Sequence, residues 1–167
     1  MSERRHRSAR AAATAVAALS VIAAGSLALL VAGMRWNLPP VLNGVRRLNR
    51  SLTNPRVMRT AGSAGTQTSV IQHVGRTSGR AYETPVDTLP TSTGFLIALP
   101  YGTRADWLRN VLAEGSATIV TNGERIAVNQ PRLVATADVA AEIPDRTLRT
   151  LRLFGVAECL RLERVST

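Results

Sequence analysis

Hydrophobic patterning divides the chain into three regimes. From Ala11 to Met34 no charged residue interrupts 24 positions, ten of which are alanine. Next, within the stretch VLNGVRRLNRSL, apolar residues fall at Val41, Leu42, Val45, Leu48 and Leu52. That spacing is one stripe of a helix, with Arg46, Arg47 and Arg50 largely off it. From Thr66 onward short apolar runs are bounded by Gly, Pro, Ser or Thr, the rhythm of strands and turns. Strands are predicted over Ser69–Val74, Ala81–Leu89 and Gly94–Leu99. Two more, Thr118–Thr121 and Arg125–Val128, flank Asn122-Gly123, a pair suited to the positive-φ positions of a tight hairpin.

Between these strands, Ala105–Glu114 predicts a helix with Trp107, Leu108, Val111 and Leu112 on one face. Thr103 or Asp106 would cap its start and Gly115 would stop it. Asp138–Phe154 predicts one broken or two short helices around Pro144. Val156–Val165 predicts a closing strand, with Val156, Leu160 and Leu162 apolar and Arg161, Glu163 and Arg164 charged. Mainly β elements with an inserted helix, in about a hundred residues, point to an α+β domain built on a small barrel. A doubly wound sheet would need regular alternation of strand and helix. The division that results is a basic tail at 1–10, a hydrophobic helix at 11–34, a basic amphipathic connector at 35–65 and a barrel domain at 66–167.

The uncharged segment is long enough to cross a bilayer core of about 30 Å as a helix rising about 1.5 Å per residue. Trp36 follows at once, where an interfacial aromatic belongs. The segment also fits a cleaved signal peptide, with Arg4, Arg5 and Arg7 as its basic start and Val31–Gly33 near a cleavage site. Arginines flank both ends, so charge asymmetry sets no orientation. The connector stripe either packs on the domain that follows or lies along an anionic lipid surface.

Composition narrows the partners. The formal charge is +10, and every positive side chain is arginine, which grips phosphate and carboxylate as a planar fork. Anionic partners follow: a phosphorylated cofactor, an acidic membrane surface or nucleic acid. Only 4% of residues are aromatic, which argues against nucleic acid read on stacking platforms. One cysteine and two histidines provide no zinc-ligand spacing, so no metal is expected. Cys159 lies in an apolar run and reads as a packed core thiol.

Two stretches carry candidate chemistry. HVGRTSGRAYETPVD, His73–Asp87, contains a turn in which Gly75 and Gly79 permit close backbone approach. Thr77 and Ser78 add hydroxyls there, and Arg76 and Arg80 add charge, a donor set suited to an anion. The same residues also suit a plain hairpin turn. No nucleotide P-loop is present, because the lysine is missing and a strand follows. ALPYGTRADWLRNVL, Ala98–Leu112, runs from strand through a Pro-Tyr-Gly loop into a helix whose start offers free N–H groups. Trp107 and Asn110 face similar directions on that helix. His73 reads as a satisfied structural histidine, and Glu83, Asp87 and Asp106 form no pair spaced for carboxylate catalysis.

Taken in order, the Gly-Arg-x-Ser-Gly turn, the Thr-Pro strand, the glycine loop and the Trp-x-x-Asn helix resemble the deazaflavin (F420)-dependent nitroreductase and quinone reductase family of actinobacteria. The resemblance runs from about Thr66 to Val165. It implies a split β-barrel of the FMN-binding type with coenzyme F420 as cofactor and FMN as the second choice. It implies Arg76, Thr77, Ser78, Gly79 and Arg80 at the cofactor's phosphate and acidic tail, and Thr84, Pro85 and Val86 beside its ring. Leu99, Pro100, Tyr101 and Gly102 would form a second cofactor loop, with Asp106, Trp107 and Asn110 closing the site. The chemistry implied is hydride transfer to a quinone, nitroaromatic or other conjugated acceptor, with Trp107 and Tyr101 as catalytic candidates. Tyr101 replaces a lysine common in the family's glycine loop. The family's C-terminal tyrosines are absent, since Tyr82 and Tyr101 are the only two in the chain. The expectation is a membrane-associated reductase facing the cytoplasm. Its alternatives are a non-catalytic cofactor- or lipid-binding barrel and a basic membrane scaffold.

Overall fold

A computed structural model describes residues 26, 28–36, 38–48, 57–66 and 68–165. Six strands form a closed antiparallel barrel: β1 (Thr68–Val74), β2 (Ala81–Pro90), β3 (Gly94–Ala98), β4 (Ser116–Thr121), β5 (Glu124–Ala135) and β6 (Glu158–Arg164). They follow one another around it as β1-β2-β3-β6-β5-β4. Helix α1 (Pro39–Leu48) precedes the barrel, α2 (Asp106–Glu114) joins β3 to β4, and α3 (Asp145–Leu153) lies between β5 and β6. The expected α+β barrel is therefore present.

Two apolar cores share one wall. Inside the barrel, Ile71, Val86, Phe95, Ile97, Ile119, Val128, Leu160 and Leu162 meet Leu108 and Val111 of α2. Outside it, Leu96 and Cys159 pack with Val139, Ile143, Leu148, Leu151 and Val156, contributed by α3 and its approaches. Strand β3 is consequently apolar at every interior position, because both of its faces are covered. Burial pushes the Cys159 thiol up, and its sulfur lies 3.6 Å from Thr136 Oγ1.

The turn chemistry reads as the residues suggest. Asn122 and Gly123 take φ of 51° and 82°, the paired left-handed turn that matches strand twist. Gly115 ends α2 at φ 76°, its N–H donating to the Val111 carbonyl at 2.9 Å. Two expectations need correction. The predicted strand Arg125–Val128 runs on to Ala135 through a bulge, since Asn129 pairs with Glu163 but Arg132 pairs with Arg161. Gln130 at φ 50° and Pro131, which has no N–H, occupy the extra space without ending the strand. In addition, neither Thr103 nor Asp106 caps α2: the cap position is Ala105, with no side-chain hydrogen bond. Asp106 is engaged elsewhere, as described below.

Most of the predicted hydrophobic helix, the basic tail and residues 49–56 of the connector lie outside the described residues. Residues 28–35 are helical. A Cβ on Gly33 would stand 2.6 Å from a Val41 methyl, so the missing side chain there allows α1 to approach. Leu42, from the predicted stripe, is buried. Among the described residues no helix is long and apolar enough to cross a membrane.

Barrel closure depends on the β3–β6 contact at Gly94, where an added Cβ would stand 2.1 Å from the Leu162 carbonyl oxygen and 2.9 Å from Glu163 Cα. Backbone cannot yield as a side-chain tip does. Gly94→Ala is expected to cost about 1–3 kcal/mol, read as a Tm lowered by about 4–8 °C for each kcal/mol. An unchanged Tm would show that the strands can separate there without loss.

Candidate functional site

Strands β1 and β2 approach their shared hairpin with interior faces that change character. Beyond Ile71 the next inward position is His73, and beyond Val86 it is Thr84, because side chains of one face recur every second residue. The interior therefore turns polar at this end of the barrel. Helix α2 closes it, burying Leu108 and Val111 below and presenting Asn110 to His73. A cleft of about 900 Å³ opens here, lined by the hairpin, the ends of β1 and β2, the loop residues Tyr101, Arg104 and Ala105, and the start of α2.

A hydrogen-bonded chain crosses its base. The Arg76 guanidinium meets the Asp106 carboxylate at 3.2 Å and donates through Nη1 to Asn110 Oδ1 at 2.8 Å. The Arg76 backbone N–H donates to the same oxygen at 3.2 Å. Asn110 Nδ2 lies 3.3 Å from His73 Nδ1, and His73 Nε2 lies 3.3 Å from Thr84 Oγ1. The ion pair is largely solvent-exposed, and such a pair alone adds little stability. Its consequence is positional: it holds the hairpin tip against the first turn of α2. Asn110 is almost completely buried, so its amide must be satisfied within the protein. Burial holds His73 below its ordinary pKa, against an opposing effect of the Val74 backbone, and the ring is neutral at pH 7.

The hairpin tip is held by its own backbone. The Gly75 N–H donates to the Arg80 carbonyl, and the Gly79 N–H, at φ 64°, donates to the Gly75 carbonyl, both at 2.8 Å. Among the described residues the Thr77 and Ser78 amides have no protein acceptor. Arg80 Nη2 donates to the Tyr82 hydroxyl at 3.2 Å, and Ser78 Oγ lies 3.2 Å from that hydroxyl on another side. Bonding to Ser78 and Arg80 holds the Tyr82 phenol below its ordinary pKa. The Tyr82 ring stacks on His73 with centroids 5.8 Å apart.

Of the residues singled out in the sequence, Arg76, Thr77, Ser78, Thr84, Pro85, Tyr101, Asp106, Trp107 and Asn110 line one cleft. Val86 and Leu99 do not: both are buried in the barrel core. Gly79, Pro100 and Gly102 shape the loops without lining the cleft, and Arg80 lies against Tyr82. Tyr82, Glu83, Arg104 and Arg47 line the cleft although sequence reasoning gave them no part in the site. Alternation along β2 offered a signal for Tyr82, two residues from Thr84. Nothing in the sequence placed Arg47, more than twenty-five residues upstream, at this mouth. Among the described residues no cluster of three or more His, Cys, Asp or Glu side chains could hold a metal ion.

No family model matches the chain, and no curated protein matches it. Among solved structures it is similar to HutZ, a heme storage protein of Vibrio cholerae, at 13% identity over 68% of this chain and 90% of that one, with a TM-score of 0.47. It is also similar to an F420-H2 dependent reductase, FDR-A, at 11% identity over 58% and 94%, with a TM-score of 0.44. A third likeness is to an FMN-binding protein of Syntrophomonas wolfei, at 15% identity over 75% and 93%, with a TM-score of 0.39. These likenesses are too distant to bear on function.

Two outcomes follow from the buried chain of hydrogen bonds. Asn110→Ala leaves the buried His73 ring and the two Arg76 donors without their shared partner and is expected to cost about 1–3 kcal/mol in urea unfolding; a change within error would mean that water replaces the amide. The second concerns pH. A histidine whose pKa is lowered by folding leaves the unfolded chain holding more protons below 6.5. Stability is thus fully present above 6.5 and declines as the pH falls through 6.5 toward the folded value. Tm measured across this range should fall more steeply in the wild type than in His73→Gln, and equal slopes would contradict the assignment.

Proposed function

We propose that this protein is an F420H2-dependent oxidoreductase, a barrel that binds a flavin-type ring and passes a hydride to a lipophilic quinone, nitroaromatic or other conjugated acceptor. The observation that carries the reading is the meeting, in one cleft, of two motif stretches distant in sequence, His73–Pro85 and Tyr101–Asn110. The cleft combines apolar and aromatic surface from Pro85, Ala105 and Trp107 with hydroxyls and guanidinium groups. A planar ring carrying a phosphate and carboxylates needs both kinds of surface.

The residues present fit such a ligand. The Thr77 and Ser78 amides lack protein acceptors among the described residues, their hydroxyls stand beside them, and Arg104 and Arg47 add positive charge at the cleft. Arg76 contributes mainly by holding the hairpin to α2, because its guanidinium is engaged by Asp106 and Asn110. Arg80 orients the Tyr82 hydroxyl. Bound and reduced, a deazaflavin supplies the hydride; the protein supplies orientation and a dry site. Trp107 forms an apolar wall, and the Tyr82 and Tyr101 hydroxyls can each hold a proton at the cleft.

The reading extends to a membrane. The uncharged stretch Ala11–Met34 would anchor the chain, with the barrel facing the cytoplasm and its cofactor, and a quinone dissolved in the bilayer would be its acceptor. Leu29, Trp36 and Leu38 are exposed, in keeping with a lipid contact at the end of that stretch.

Fluorescence titration with F420 and with FMN tests the cofactor. F420 is expected to bind more tightly, and Arg104→Ala to weaken it about tenfold at low salt, with the difference shrinking as salt screens the charge. Binding of neither cofactor would overturn the reading. Binding without oxidation of F420H2 by any of a panel of quinones and nitro compounds would favour a non-catalytic carrier.

A further inference from the structure

The hydrogen bonds across the base of the cleft have a compulsory direction. Arginine can only donate, and an ionised carboxylate can only accept. Two Arg76 donors, the backbone N–H and Nη1, converge on one atom of the Asn110 amide, at 3.2 and 2.8 Å. That atom must be the oxygen, since the reversed amide would set its NH2 against both donors. The amide nitrogen therefore faces His73 Nδ1 at 3.3 Å and donates to it. Nδ1 must then be bare, and the neutral ring carries its only hydrogen on Nε2. From there it donates to Thr84 Oγ1 at 3.3 Å.

This chain reaches the cleft at Thr84. Its hydroxyl oxygen already accepts from His73, and His73 Nε2 holds a proton, so the Thr84 hydrogen cannot turn back toward the ring. Among the described residues no other partner bonds to Thr84 Oγ1. Thr84 lines the cleft beside Pro85.

We propose that Thr84 offers its hydroxyl hydrogen to the cleft and so favours ligands presenting a ring carbonyl at this point. The charge that sets this polarity lies at the far end of the chain, on Asp106 and Arg76. A ligand presenting an N–H at the same point can reach only the second lone pair of the Thr84 oxygen and leaves the hydroxyl hydrogen unpaired. The ligand assignment rests on the reading that the cleft holds a flavin-type ring or its quinone acceptor, both of which carry carbonyl groups. The direction of the relay does not rest on that reading.

The direction is tested without any ligand. In a His6→Gln background His73 is the only histidine, and its ring 15N shifts report which nitrogen is protonated. At neutral pH the expected result is a bare Nδ1 and a protonated Nε2; a proton on Nδ1 overturns the relay. Asn110→Asp keeps the acceptor for Arg76 but removes the amide hydrogens, so it should place a proton on Nδ1. An Nδ1 still bare in that variant is equally fatal.

Thr84→Val removes the donor at nearly constant volume and addresses the carbonyl. Weakening of F420 and FMN binding by about tenfold assigns the carbonyl to the cofactor ring. Unchanged cofactor affinity with a raised KM for menadione assigns it to the acceptor. No change in either overturns Thr84 as a selecting group. If the wild type binds neither cofactor, the flavin reading and the carbonyl assignment fall together, while the 15N spectrum still decides the relay.

Discussion

One buried amide joins the parts of this protein that define its cleft. Asn110 belongs to the helix that plugs the barrel, and its oxygen receives two donors from the hairpin tip while its nitrogen serves a strand. Helix, hairpin and barrel wall are thereby held in one arrangement. The net contribution of each such bond is modest, but leaving any partner unsatisfied in that setting is costly. Position matters here more than total energy. Without the amide, the motif Gly-Arg-x-Ser-Gly would still make a hairpin, held to α2 only by the contacts of Arg76 with Asp106.

The barrel end illustrates how an apolar core becomes a site. Alternation along β1 and β2 continues past Ile71 and Val86, but the next inward residues are His73 and Thr84. The polar pair is tolerated because each member bonds the other and the histidine is neutral. Tyr82 stacks over His73 and is itself oriented by Ser78 and Arg80. The two arginines of the turn meet different partners, Arg76 the Asp106 carboxylate and the Asn110 amide, Arg80 the Tyr82 hydroxyl.

A second consequence of tertiary packing is the two-sided burial of β3. Its sequence, GFLIA, offers no polar face, and the residues from Val139 to Val156 cover the side turned away from the barrel interior. The glycine that opens the strand admits the close approach of β6. The helix containing residues 28–35 meets the same outer layer, where Arg35 donates to the carbonyl of Arg152 near the end of α3.

Local signals settled much of this by themselves. Asn-Gly determined the β4–β5 turn, Gly115 ended α2, and short runs with period-two alternation marked the strands, because each depends on a residue's own φ/ψ freedom or on its neighbours. The order of the two motif stretches was also legible, and with it nine residues that share the cleft. Other features were decided only in three dimensions. Strand β5 passes through Pro131 because a bulge opposite Leu162 absorbs it; no local rule requires that. Asp106, a helix cap by its position in the sequence, is instead drawn to Arg76, thirty residues earlier. Thr84 acquires a direction for its hydroxyl hydrogen from groups on three separate elements. Hydrogen-bond polarity passes through contacts in space, and a linear sequence names the donors and acceptors without saying which of them will meet.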